Sequence, residues 1–208
     1  MTDWTSLITA FTTLFVIIDA PGMVPLFIAL THDNSAAERR AIGVRACLVA
    51  AALMTAFLFL GEAVLGFIGI SIPAFRVAGG VLLFLTALDM LFERRQKRRS
   101  DNTGEAAASD HDPSVFPLAM PLIVGPGLIT TIILLASSAD GPAGIVALGV
   151  VLALNLGIVF LAFLASPFIA NALGKTGINV ITRVLGMLLA ALAVQFILDG
   201  LVSSGFGG

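Results

Sequence analysis

Residues 19–25 read DAPGMVP: an acid, two prolines and a glycine inside an apolar run, Leu7 to Leu30, that otherwise has the length of one membrane-spanning helix. Proline removes a backbone donor and clashes with the preceding turn, and glycine loosens the chain. Polar backbone exposed at that depth persists only where protein or a water-filled cavity surrounds it. The stretch therefore predicts a helix broken for a purpose, one half ending at DAPG and a second half, Met23 to Leu30, beginning after it.

The surrounding composition sets the solvent. Of 208 residues, 58% are hydrophobic and 12% charged, with mean hydropathy +1.05, which excludes an ordinary soluble domain. A helical span needs about 20 apolar residues, and six runs supply them: Leu7 to Leu30, Ala41 to Leu60, Ile72 to Phe92, Val115 to Ser138, Ala143 to Ala165 and Ile178 to Leu198. None alternates polar with apolar residues as barrel strands do. The lone cysteine, Cys47, lies inside a span and reads as a small buried hydrophobe. The opening MTDWTSL has no Lys or Arg before the first apolar run, so that run is expected to be a retained first helix.

Between the third and fourth runs lies ERRQKRRSDNTGEAAASDHDP, a charged stretch without a periodic apolar face. It divides the chain into a three-helix unit 1–93, a basic, flexible loop 94–114 and a second three-helix unit 115–208. Arg94, Arg95, Lys97, Arg98 and Arg99 sit at its start, and an excess of Lys and Arg marks the cytoplasmic side. Such clustering sets topology and does not argue for nucleic acid. Counting outward from this loop puts Arg39, Arg40 and Lys175 inside as well, and the GEAVLGFIG and ADGPAG connections outside. Both termini are then expected outside; a reporter fused to Gly208 and active in the cytoplasm would sink that orientation.

The second unit echoes the first. IIDAPGMVPLFI aligns with LIVGPGLITTII, placing Pro21 and Gly22 over Pro126 and Gly127, and GISIPAFRVAGGVLLFL aligns with GINVITRVLGMLLAAL, placing Arg76 over Arg183 and Gly79 over Gly186. Three spans per unit is an odd number, so the second unit enters the membrane from the opposite side. The fold expected is an all-α membrane protein of six transmembrane helices, arranged as two inverted-topology repeats with the first helix of each broken. Such repeats are common in secondary transporters, whose sites lie near midplane where interrupted helices meet.

At each break a new half-helix starts inside the bilayer, presenting N–H groups and the positive end of its dipole. The two ends, Asp19, Ala20, Pro21 and Gly22 in one and Gly125, Pro126 and Gly127 in the other, would suit a carboxylate. Asp19 is the only acid this deep in a span, and it reads equally as a partner for an ammonium or coupling ion and as a cap on the second half-helix. Thr130 and Thr131 read either as hydroxyls for substrate or as side chains bonded back to their own helix. Asn155 either lines the cavity or bonds between helices. Arg45 with Asp89, and Arg76 with Asp199, read as structural charges that snorkel or pair between helices, over a role in transport. Gly79, Gly80 and Gly186 read as points of close helix contact.

At these residues the chain resembles the MarC family of bacterial and archaeal inner-membrane proteins, also called the small neutral amino acid transporter family. DAPGMVPLF, ERRAIGVRA, GISIPAFRVAGGVLLFLTALDML, FPLAMPLIVGPGLITT and GINVITRVLGMLLAALAVQFILDG carry the resemblance over nearly the whole chain. The commoner family form of the first break is Asp-Pro-x-Gly, whereas here Ala20 takes the proline place and Pro21 follows. The resemblance implies a six-helix protein of the cytoplasmic membrane and, for some members, transport of glycine, alanine and similar amino acids on a proton or Na+ gradient.

The functions open to such a chain fall into three classes. A secondary transporter of small zwitterions leads; an exporter of other solutes or drugs, or an accessory membrane protein without transport, fits the same topology. An enzyme is not expected: His32 and His111 lie in loops and there is no Gly-x-Ser-x-Gly or His-Glu-x-x-His motif. A Walker motif is also missing, and no cofactor or metal is expected.

Overall fold

The structure, a computed structural model, describes residues 4–92 and 112–205. The loop expected over 94–114, with its five basic residues, lies almost wholly outside the described residues. The described chain is helical: α1 (Trp4–Ile18), α2 (Ala20–Leu30), α3 (Ala36–Ile68), α4 (Ile72–Leu91), α5 (Ser114–Ile123), α6 (Pro126–Ser137), α7 (Gly141–Leu164) and α8 (Ser166–Ser203). Five spans are long and apolar enough to cross a membrane, α1 and α2 counting as one of 27 residues, or six if α5 and α6 form one bent span.

Three elements depart from the expected spans. α3 is 33 residues, about 50 Å at helical rise, and so carries the GEAVLGFIG stretch as helix where a connection was expected. Its ends explain the length: a Ser35–Glu38 capping box starts it, and no breaker intervenes until Gly69, whose left-handed φ of 83° lets Ile70 N–H reach the Leu65 carbonyl at 2.9 Å. The connection expected around Lys175 is instead the first arm of α8, which bends at Gly174, where φ 60° and ψ 179° suit only glycine. α5 is not a regular α-helix. Phe116 and Met120 are extended because each precedes a proline, and the remaining turns are wide, with Leu118 N–H on the Pro113 carbonyl and Val124 N–H on that of Ala119.

The broken first span is the centre of the bundle. Of its most apolar window 61% is buried, against 22–28% for α3, α4, α7 and α8, whose outward faces present Phe59, Phe67, Leu154 and Leu161. α4 and α8 form the most extensive helix pair and run antiparallel. A side chain at Gly80 would meet the Ala193 carbonyl, one at Gly186 the Ala87 carbonyl and one at Gly200 the Pro73 carbonyl. Positions 73, 80 and 87 thus face 200, 193 and 186, small residues at steps of seven that let two backbones approach where apolar side chains gain nothing by leaving lipid.

The expected ion pairs form differently. Arg45 reaches Asp112 at 3.2 Å, not Asp89, because the chain entering α5 passes the start of α3. Asp199 accepts from Gln195 Nε2 at 2.6 Å, one turn back on its own helix, and no ion pair joins it to Arg76 among the described residues.

Candidate functional site

The two breaks are built unlike each other. At the first, Asp19 alone leaves the helix, with φ 54° and ψ 56°, a left-handed conformation that Asp and Asn tolerate better than other side chains. Asp19 N–H still reaches the Phe15 carbonyl at 3.1 Å and Met23 N–H the Asp19 carbonyl at 3.2 Å, so hydrogen bonding runs through the break. The carboxylate turns back, accepting from Gly22 N–H at 3.2 Å, and Pro21 in the first turn has no N–H to satisfy. A Cβ on Gly22 would strike that carboxylate. The expected free N-terminus is therefore filled by the chain's own acid. The cap reading of Asp19 holds, and it leaves open what else the carboxylate binds.

At the second break the chain turns by 60° between α5 and α6. Gly125 occupies the cap position with no side chain to offer and Pro126 opens the helix, so nothing from the sequence caps the next N–H groups. Gly127 sits against Leu83 and Thr86 of α4, and Thr130 presses its methyl on Gly79. The hydroxyls of Thr130 and Thr131 donate back to the carbonyls of Pro126 and Gly127, at 3.0 and 2.9 Å, which is the local bonding anticipated as their alternative role.

Asn155, buried on α7, donates Nδ2 to the Val151 carbonyl at 3.0 Å, while its Oδ1 is buried without a hydrogen-bond partner. That bond is local to α7, and the unpartnered Oδ1 leaves both expected roles, lining a cavity or bonding between helices, open. Among the candidate residues Asp19, Ala20, Gly22, Gly127, Thr130, Thr131 and Asn155 are buried, Pro21 and Gly125 partly so, and Pro126 is exposed. The first break packs on α8 and the second on α4; α1 lies against α6 and α7 lies against both α1 and α2.

One residue at the site escaped sequence reasoning. Thr182, buried on α8, donates its hydroxyl to Asp19 Oδ1 at 3.4 Å across 163 positions of chain. The GINVITRVLG block is one of the repeat's own matches, but a threonine among apolar residues carries no signal by itself. Among the described residues no three His, Cys, Asp or Glu side chains come together as a metal site would need.

The comparison with known proteins agrees with this architecture: the model of the "MarC family integral membrane protein" family matches residues 4–204. The chain belongs to the MarC family. Relatives include a UPF0056 membrane protein of Aquifex aeolicus, 40% identical over 92% of this chain and 90% of its own length. The UPF0056 membrane protein YvbG of Bacillus subtilis is 38% identical over 92% of each chain. The UPF0056 inner membrane protein YhgN of Escherichia coli is 33% identical over 94% of this chain and 95% of its own. No solved structure matches. As in this chain, the family's membership fixes an integral membrane protein with several apolar helices.

Proposed function

We propose that this MarC-family protein is a secondary transporter of the cytoplasmic membrane that moves small neutral amino acids, of glycine and alanine size, on a proton or Na+ gradient. The observation that carries the reading is Asp19: a carboxylate with 0% exposure, at a break in the most enclosed span, held by a backbone N–H and the Thr182 hydroxyl. Placing an acid at such depth costs roughly 2.5–3.5 kcal/mol on insertion scales, more than the about 0.5–2 kcal/mol that a helix cap returns. In this reading the substrate ammonium or the coupling cation is met at Asp19. The substrate carboxylate is met at the start of α6, whose first N–H groups have no side-chain cap. In this reading the substrate side chain, kept small, is met beside Ala20, Gly22 and Gly127.

The inverted repeat belongs to the same proposal, and the packing supports it. Exchanging α1 to α4 with α5 to α8 turns the α2·α8 contact into α6·α4, α3·α5 into α7·α1 and α3·α6 into α7·α2, and these pairs occur, while α4·α8 and α3·α7 map onto themselves; the lesser α1·α8, α1·α6, α6·α7 and α7·α8 contacts have no counterpart of similar extent. Alternating access then comes from rocking one unit against the other about the central α4·α8 and α3·α7 contacts. The positive-inside distribution puts the Arg39, Arg40 and Lys175 ends in the cytoplasm and both termini outside.

The test is uptake of labelled glycine and alanine into liposomes carrying the purified protein under imposed proton or Na+ gradients, with Asp19→Asn and Gly127→Leu alongside. Gradient-driven uptake lost in both variants is expected. Uptake by folded Asp19→Asn protein that still responds to the gradient would remove Asp19 from the mechanism, and no uptake by the folded parent would refute amino acid transport.

A further inference from the structure

At the end of the bundle that carries Arg39 and Arg40, a pocket of about 110 Å³ opens between the starts of α3 and α8 and the end of α7. One wall is the Phe27–Phe163 stack, its ring centroids 4.2 Å apart. Three polar side chains, Arg39, Arg40 and Ser166, stand in an otherwise apolar lining. Ser166 is 1% exposed and its hydroxyl has no hydrogen-bond partner; Arg39 Nε, in the same lining, is also buried without one. Neither Arg39 nor Arg40 forms an ion pair among the described residues. Ser166 and Pro167 also open α8, where no side chain caps the helix.

Beyond Phe160, which lines both, the pocket gives way to an apolar groove of about 310 Å³ between α3 and α7, walled by Val44, Leu48, Ala51, Ala153 and Gly157. Two cations at the membrane boundary with an apolar trough leading from them along two spanning helices match the outline of one amphiphile. We propose that the pocket and groove form a single site for an anionic phospholipid, its phosphate on Arg39, Arg40 and the Ser166 hydroxyl and one acyl chain in the α3–α7 groove. Guanidinium is the side chain best suited to bind phosphate through paired donors, and basic pockets between spanning helices take anionic head groups by the same chemistry. The phosphate would supply the acceptor that the buried Ser166 hydroxyl and Arg39 Nε each lack.

Lipid retention by the purified full-length protein, read by native mass spectrometry, tests this with phosphatidylglycerol and phosphatidylcholine of identical acyl chains and with inorganic phosphate as competitor. Phosphatidylglycerol should bind at least about tenfold more tightly, and Arg39→Gln/Arg40→Gln should erase the preference, two lost cations at a membrane surface being enough for that factor. Arg40→Gln alone, at an exposed position, gives the same comparison in smaller measure if the double variant unfolds. Gly157→Leu should weaken both lipids by filling the groove, because a Cβ there meets nothing within 4 Å and the fold is undisturbed. Equal retention of the two lipids, unchanged by the arginine variants, would overturn the proposal. So would displacement of phosphatidylglycerol by millimolar phosphate with Gly157→Leu silent, which would make this a site for a free oxyanion.

Discussion

Replacing Asp19 in three ways separates its backbone role from its charge. Asparagine tolerates the left-handed φ of 54°, and its amide oxygen can accept from Gly22 N–H and Thr182 as the carboxylate does. Asp19→Asn should therefore unfold within about 1 kcal/mol of the parent. Alanine loses on three counts. The missing cap costs about 0.5–2 kcal/mol, a Cβ without a compensating polar group in the left-handed region about 1–2 kcal/mol, and a buried Thr182 hydroxyl deprived of its acceptor about 1 kcal/mol or more. Because Asp19 already bears part of the backbone strain, these sum to about 3 kcal/mol, or roughly 6–12 °C in Tm for a chain of this size. Asp19→Gly escapes the backbone penalty and should fall between the two. Thermal unfolding of the three purified variants in one detergent gives the order. If asparagine proved as harmful as alanine, the charge and not the cap would hold the break, and the reasoning from local geometry would fail.

Asn155→Leu removes a buried acceptor that has no partner, so Tm should rise by the equivalent of about 1 kcal/mol; a lower Tm would show that Asn155 is structural. Gly80→Ala puts a Cβ 2.8 Å from the Ala193 carbonyl and 2.6 Å from Ile197 Cγ1, which should cost about 1–3 kcal/mol as α4 and α8 separate. Gly149→Ala, which meets nothing within 4 Å, should be neutral or stabilising by up to about 1 kcal/mol on helix propensity. Equal Tm values for these two would contradict the antiparallel register assigned to α4 and α8.

The features of this protein that lie within a turn or so of chain were legible in its sequence. Charge scarcity and run length made it a helical membrane protein, DAPG and GPG marked both breaks, and the self-capping of Asp19 was one of its two anticipated roles. The threonine back-bonds were foreseen in the same way, since a hydroxyl reaches a carbonyl four residues back without help from the fold. The irregular α5 was equally local, written in FPLAMPL, yet its apolar content read as helix because composition outweighed the two prolines.

What the tertiary structure alone decided is which element meets which. The sequence determined two similar breaks; the fold made them different, giving the first a carboxylate cap and Thr182 as neighbour and the second a bare glycine against α4. It also sent Arg45 to Asp112 and set Gly80 opposite Ala193. The physical reason is that Leu, Val and Ala are interchangeable to lipid, so hydropathy says that a helix is in the membrane and nothing about its partner. Partners are chosen by the few positions where a small residue admits a backbone or a polar atom finds its mate, and those matches exist only once all the helices are in place.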